Sequence, residues 1–366
     1  MCSVIIAARR SPVAPRGGAL SRLEIHDLAR PVLDALLSDV DVSPDTIGEL
    51  VVSNALGAGG NPARSIALAA GWPQRIGGLS IDRQCVGGLD ALLLADAMIR
   101  SGQQELVVAG GVESYSRRPL RFRTFADGRD PEPYDQARFT PWPDRDPDMA
   151  DAANLLAGEL GIAKGTQDAW ARDSHAKALQ AGLLPEVVPM SGLERDSFTR
   201  ALTDAHCRRA PVVSGEITAA NMAVAADGAA FVLMASDRWA RDHGFGGVEL
   251  VAGKSLGGRP DMPGIAPVDA IRRVLSGAGL SSQDVQHAEI MEAFAVQAIA
   301  CQVGADLPVD IVNPQGGALA RGHPVGASGA ILATRLFHAL NAAPGFGLAA
   351  IAAAGGLGTA LLLRGR

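Results

Sequence analysis

The chain has 366 residues, 48% of them hydrophobic and 20% charged, with a net charge of −6. It is long enough for two domains or one large duplicated one. The acidic balance and the 4% aromatic content argue against basic patches or base-stacking platforms for nucleic acid.

Four cysteines, Cys2, Cys85, Cys207 and Cys301, show no CxxC spacing. That excludes a zinc ribbon or a disulfide framework and fits a reducing cytoplasm, with no metal expected. Residues 3–8 read as a strand that opens the chain, without the charged, apolar and cleavage-site layout of a secretory leader. No uncharged apolar run reaches the ~18 residues that a membrane span needs, so no membrane partner is expected.

Periodicity predicts a helix over 25–37, with Leu28, Val32, Ala35 and Leu36 on one face. A strand at 50–53 and a helix at 63–70 follow. The segment LSIDRQCVGGLDALLLADAMIRSG then runs from an apolar strand through a polar turn to Cys85, two glycines and an apolar helix ending near 100. A thiol at a helix start gains thiolate character from the free N–H groups and the helix dipole, so its pKa is expected below the ~8.5 of a free thiol. A strand at 105–109 ends in GGVES.

Residues 117–147 are rich in Arg, Asp and Pro and show no period, as expected of a surface excursion. DMADAANLLAGELG and GTQDAWARDSHAKALQAG read as two amphipathic helices capped by Asp148 and Thr166. EITAANMAVAADGAAFVLMAS returns to the core as an apolar strand. Residues 117–210 thus read as a lid inserted into the first half.

The second half repeats the first. A helix over 266–275 leads into SGAGLSSQDVQHAEIMEAF, and Leu37/Leu275, Val42/Leu280, Ser43/Ser281 and Ile47/Val285 stand in register. The offset is 238 residues, the same as between Cys85 and His323. His323 lies in NPQGGALARGHPVGASGAILATRLFHAL, again a glycine-rich turn feeding an apolar helix. Two α/β halves related by a pseudo-twofold bring both helix starts to the centre. Cys plus His is the minimum set for covalent acyl transfer, with His323 as the base.

Along nearly its whole length the chain resembles the thiolase family, within the thiolase and ketosynthase superfamily. The resemblance runs through VIIAARRSPV, DRQCVGGLDAL, GGVESYS, SHAKA, TAANMAVAADGAA, MEAFAVQ, NPQGGALARGHPVGASGA and AAAGGLGTALL, in order. It implies a five-layer αβαβα fold of two duplicated halves. The first half takes 1–116 and 211–245, the lid 117–210, and the second half 246–366.

It implies ping-pong acyl transfer through a thioester on Cys85, of the 3-ketoacyl-CoA thiolase or acetyl-CoA acetyltransferase type, in lipid metabolism. The acyl donor is coenzyme A or an acyl carrier, as substrate and not as resident cofactor. A cytoplasmic homodimer or homotetramer is implied as well. Glu292, in MEAFAVQ, orients a water or His323, or else satisfies buried backbone. His175, Met149, Ala223 and Gly355 fall where the family meets the coenzyme A chain, although His175 reads equally as a surface histidine. The arginine run is a solvated face or a contact for the CoA phosphates, and Cys301 reads as core packing.

Two positions depart from the family. Aligning GGLG puts Ala352 where a second cysteine shuttles the proton of the carbon–carbon step. Such acid–base help is typically worth ~10²–10⁴ in rate. Met291 stands where an asparagine holds an oxyanion-hole water, and a thioether donates no hydrogen bond. Ala223 replaces a serine that commonly touches pantetheine. The acylation half is complete and the carbon–carbon half is not. Transfer to an oxygen or nitrogen nucleophile, or a non-catalytic acyl-CoA-binding subunit, therefore remain alternatives.

Overall fold

A computed structural model describes residues 2–57 and 59–365. One continuous sheet runs through the molecule, and its strand order shows how the two halves correspond. In the first half Ser3–Arg10 pairs antiparallel with Ala226–Ser236, which pairs antiparallel with Leu106–Glu113. Glu49–Ser53 and Leu79–Ile81 then follow, both parallel. In the second half Val248–Gly257 pairs antiparallel with Leu357–Gly365, which pairs antiparallel with Phe346–Ala353, and Val285–Ile290 follows in parallel. A parallel bridge from Ala288 to Val312 stands in the place of Leu79–Ile81. The halves join where Ser3, Val4 and Ile5 pair with Leu250, Glu249 and Val248.

Successive strand residues face opposite sides of a sheet, and here both sides are covered. Leu50, Val52, Leu106 and Val108 face the outer helices Ile25–Ser38 and Pro62–Ala69. Val51, Val107, Ala109, Ala349, Ile351, Leu361 and Leu363 all face one shared central cluster. Leu348, Ala350, Ala360 and Leu362 face the other outer helix, Ala266–Gly277. The result is five layers, αβαβα, as in the thiolase fold.

The central layer is the helix after Cys85, Gly87–Arg100, against the helix after His323, Val325–Ala342. They cross glycine to glycine. A Cβ on Gly88 would collide with the backbone of Ala330, and one on Gly329 would lie 2.5 Å from the Leu89 nitrogen. Only glycine allows backbones this close.

The lid leaves the end of Leu106–Glu113 and carries a small hairpin, Arg121–Arg123 with Glu132–Tyr134. Two helices follow, Met149–Leu160 and Lys164–Ala181. Asp148 caps the first by accepting from the Ala150 N–H at 2.9 Å. Thr166 does not cap the second, contrary to expectation. That helix starts at Lys164, whose N–H donates to Glu216 Oε2 at 2.8 Å. The cap comes from 52 residues away, which a local pattern does not show. Leu106–Glu113 also runs past the expected end at 109. Its glycines sit where Phe231 and Gly326 leave no room for a Cβ. Among the described residues no helix is long and apolar enough to cross a membrane, and no group of three His, Cys, Asp or Glu could hold a metal.

Candidate active site

Cys85 sits in a tight 3₁₀ turn, Gln84–Val86, just ahead of its helix. Gln84 has φ 54°, an unfavourable backbone for a residue with a Cβ, and its N–H is held by Asp82 Oδ1 at 3.0 Å. The turn packs the cysteine against the central cluster, whose members include Val86, Leu89, Ala223, Met291, Ala318 and Ala353.

His323 arrives from the other half. Its N–H donates to the Val224 carbonyl at 2.8 Å, which docks the loop on the chain returning from the lid. The imidazole Nε2 is 3.1 Å from Cys85 Sγ. On the other side, Nδ1 is 2.6 Å from Ser328 Oγ, and that hydroxyl donates to the Pro324 carbonyl at 3.0 Å. A serine has one proton to give. With it committed to Pro324, the hydroxyl accepts from Nδ1–H, and Nε2 is left as the acceptor facing the thiol. Ser328 therefore favours the tautomer that leaves Nε2 as an acceptor facing the Cys85 thiol.

Burial pushes the Cys85 thiol up to about 12, helped by the Glu113 and Asp82 carboxylates and opposed by a backbone N–H. Burial also pushes His323 down to about 4. Both shifts keep the proton on sulfur, so the resting pair is neutral thiol and neutral imidazole. This overturns the expectation of a thiol below its free value. Desolvation by the packed halves outweighs the helix start, and Cys85 lies ahead of the helix rather than in its first turn.

Glu292 is buried and accepts four hydrogen bonds. They come from Trp170 Nε1 (3.0 Å), Ser174 Oγ (2.7 Å), Asn313 Nδ2 (2.8 Å) and the Leu319 N–H (3.2 Å). Two donors belong to the lid helix and one to the His323 loop. None of its hydrogen bonds goes to Cys85 or His323. The carboxylate joins lid to loop.

Glu113 was not singled out from the sequence. Its buried carboxyl ties the halves together, accepting from Asn54 Nδ2, the Ala55 and Leu56 N–H groups and the Gly326 N–H at 3.0 Å. Burial pushes it up to about 7 against those N–H donors.

The residues expected along the coenzyme A chain come from four different segments. Ala223 belongs to the cluster around Cys85, its N–H donating to the Ala293 carbonyl at 2.9 Å. Met149 opens its lid helix, half-buried. Gly355 turns the C-terminal hairpin at φ 75°, beside Phe139 of the lid. His175 is no surface histidine. It is 1% exposed, its Nδ1 accepts from the Arg200 N–H at 3.3 Å, and its ring is 5.8 Å from that of Phe198. Burial, then Arg200, pushes it down to about 4. Ala352 lies half-buried in Phe346–Ala353, paired with Gly358, and that strand packs against the Cys85 turn. Met291 is buried at 1%. Cys301 is core, its thiol donating to the Gly264 carbonyl at 3.4 Å.

Two family domains match, "Thiolase, N-terminal domain" over residues 3–238 and "Thiolase, C-terminal domain" over 248–365. The chain is 38% identical to "Putative acetyl-CoA C-acetyltransferase YhfS" of Bacillus subtilis (strain 168), covering 99% of each. It is 35% identical to the VraB protein of Staphylococcus aureus (strain MRSA252), which bears the same activity in its name, over 98% of each. Among solved structures it superposes on the Bacillus anthracis acetyl-CoA acetyltransferase with a TM-score of 0.93 at 31% identity, covering 100% of this chain and 99% of that one. Human mitochondrial 3-ketoacyl-CoA thiolase in complex with CoA gives 0.92 at 30%, covering 100% and 98%.

Proposed function

The chain belongs to the thiolase family, and from that premise we propose that it carries acyl groups as a thioester on Cys85. The observation that carries this reading is the 3.1 Å approach of His323 Nε2 to Cys85 Sγ, with the tautomer favoured by Ser328. As Sγ attacks the thioester carbonyl of an acyl-CoA, its proton passes to Nε2. The new carbon–sulfur bond forms, the old one breaks, and the CoA sulfur leaves as a thiol with the proton from His323. A neutral resting pair suits this, because charge arises only as the bond forms.

The second half-reaction is atypical. Ala352 offers no proton, and Met291 gives no hydrogen bond to an oxyanion. The acyl-enzyme therefore outlives that of a thiolase with both groups. Names of the relatives make acetyl-CoA the first donor to use. Intact-protein mass spectrometry after incubation with acetyl-CoA and longer acyl-CoAs tests the proposal. One acyl adduct is expected, absent in Cys85→Ala. No adduct at any chain length would instead support an acyl-CoA-binding subunit without turnover. We extend the reading to a homo-oligomer, which light scattering of the purified chain checks.

A further inference from the structure

Glu113 closes the strand Leu106–Glu113, 1% exposed, where the two halves meet. Its Oε1 accepts from Asn54 Nδ2 at 2.8 Å and the Leu56 N–H at 3.2 Å. Its Oε2 accepts from the Ala55 N–H at 3.1 Å and the Gly326 N–H at 3.0 Å. Three of these donors belong to the first half. The fourth lies in the first turn of Val325–Ala342, three residues after His323. A carboxylate suits the free N–H groups at the start of a long helix. None of its hydrogen bonds goes to Cys85 or His323.

The helix start has little slack. A Cβ on Gly326 would lie 2.9 Å from the Ser53 carbonyl oxygen, and one on Gly111 would collide with the Gly326 carbonyl. The loop is held at two points, at His323 by the Val224 carbonyl and at Gly326 by Glu113. The crossing of Gly88 with Gly329 sets how near the central helices come. Glu113 fixes the end of the loop that leads into that crossing.

We propose that Glu113 is a positioning residue for acyl transfer: its ionised carboxylate, by gathering N–H groups from both halves, holds the His323 loop where the imidazole meets Cys85. This rests on the reading of Cys85 as the acyl carrier. Protonation places an O–H among four N–H donors, so that donor faces donor. Burial pushes the carboxyl up to about 7 against those N–H groups, with Asp82 adding to the rise, so its charge changes around neutral pH. Asp227, next to its strand partner Gly228, is held by Ser116. Arg83 pairs with Asp90 at 3.1 Å, and Arg121 reaches the Ala55 carbonyl at 3.1 Å. His323, at about 4, and Cys85, at about 12, both stay neutral from pH 6 to pH 9. Acyl loading should therefore rise with pH as Glu113 ionises.

Stopped-flow release of CoA thiol from acetyl-CoA over that range tests the proposal. The wild type should gain rate with a midpoint near 7 and level off above it. Glu113→Gln should lose that midpoint and load about tenfold or more slowly at pH 8, with half-saturation by acetyl-CoA little changed. A variant with the wild-type rate and midpoint overturns the proposal. In the crystal structure of Glu113→Gln, the side chain should part from the Gly326 or the Leu56 N–H, because an amide accepts on one oxygen only. Both contacts unchanged also overturns it. If this variant does not fold, Asn54→Ala decides: it removes one donor to the carboxylate and should move the midpoint up by about half a pH unit or more, and an unmoved midpoint overturns the proposal. A wild type that forms no adduct strikes the acyl-transfer reading, and the crystal structure of the variant then still decides whether Glu113 joins the two halves.

Discussion

His323 Nε2 stands 3.1 Å from Cys85 Sγ, yet burial drives the two groups away from a thiolate–imidazolium pair. The geometry is ready for proton transfer while the electrostatics hold the proton on sulfur. Reactivity toward a neutral alkylating agent and reactivity toward an acyl thioester should therefore separate.

Iodoacetamide alkylation of Cys85 should rise continuously from pH 6 to pH 9. The thiol is raised to about 12, so the thiolate fraction is small and grows tenfold per pH unit over this window. Peptide mass spectrometry at timed quench points measures it. A plateau between pH 6 and 7 would mean that the ion pair forms at rest.

Ser328→Ala should slow acyl loading by about tenfold or more while leaving the fold intact. The variant removes the acceptor of Nδ1–H, so the imidazole can take the tautomer that presents N–H to the sulfur. Stopped-flow release of CoA thiol reports the rate. A rate equal to that of the wild type counts against Ser328 as a positioning residue.

Ala352→Cys combined with Met291→Asn should raise thiolysis of a 3-ketoacyl-CoA above either single change, because both act on one transition state. Met291 is buried at 1%, so the new amide costs about 1–3 kcal/mol of stability unless it finds a partner. Steady-state assay of the four proteins decides. Robust thiolysis by the unmodified chain would show that another group supplies the proton.

Glu292→Ala should destabilise the protein by about 3 kcal/mol or more, since four donors lose their acceptor in a buried site. Limited proteolysis should cut first within the lid helices. Urea denaturation gives the magnitude, and an unchanged midpoint would remove Glu292 from the joint between lid and loop.

The meeting of Cys85 and His323 was legible because it is written in local signals. Glycines flank Cys85 and His323, apolar helices follow both, and one offset of 238 residues relates them. The layers were legible for a similar reason, since strand alternation and the duplication are both periodic. What escaped depends on contacts between distant segments. The Cys85 shift reflects apolar neighbours such as Met291 and Ala353 from the other half, which no helix-start argument contains. Glu292 is defined by Trp170 and Ser174, more than 100 residues earlier in the chain. His175 became a packing residue only when Arg200 and Phe198 closed over it. Ser328 was within sight, five residues after His323, and the helical spacing that turns it onto the ring is the signal that could have found it.

The crossing of Gly88 with Gly329 governs which parts of this protein are free to vary. Main chain meets main chain there, so the approach of the two helix starts is set by backbone contact, and side chains such as Ser328 only trim the orientation of the imidazole. Any larger residue at either position forces the helices apart and carries the two reactive groups with them. The lid helices pack on the second half through apolar clusters of their own, away from this crossing. Substitutions at exposed lid positions leave this crossing untouched, and with it the distance between Cys85 and His323. Tolerance to change is thus greatest at the lid surface and least where the two central helices touch.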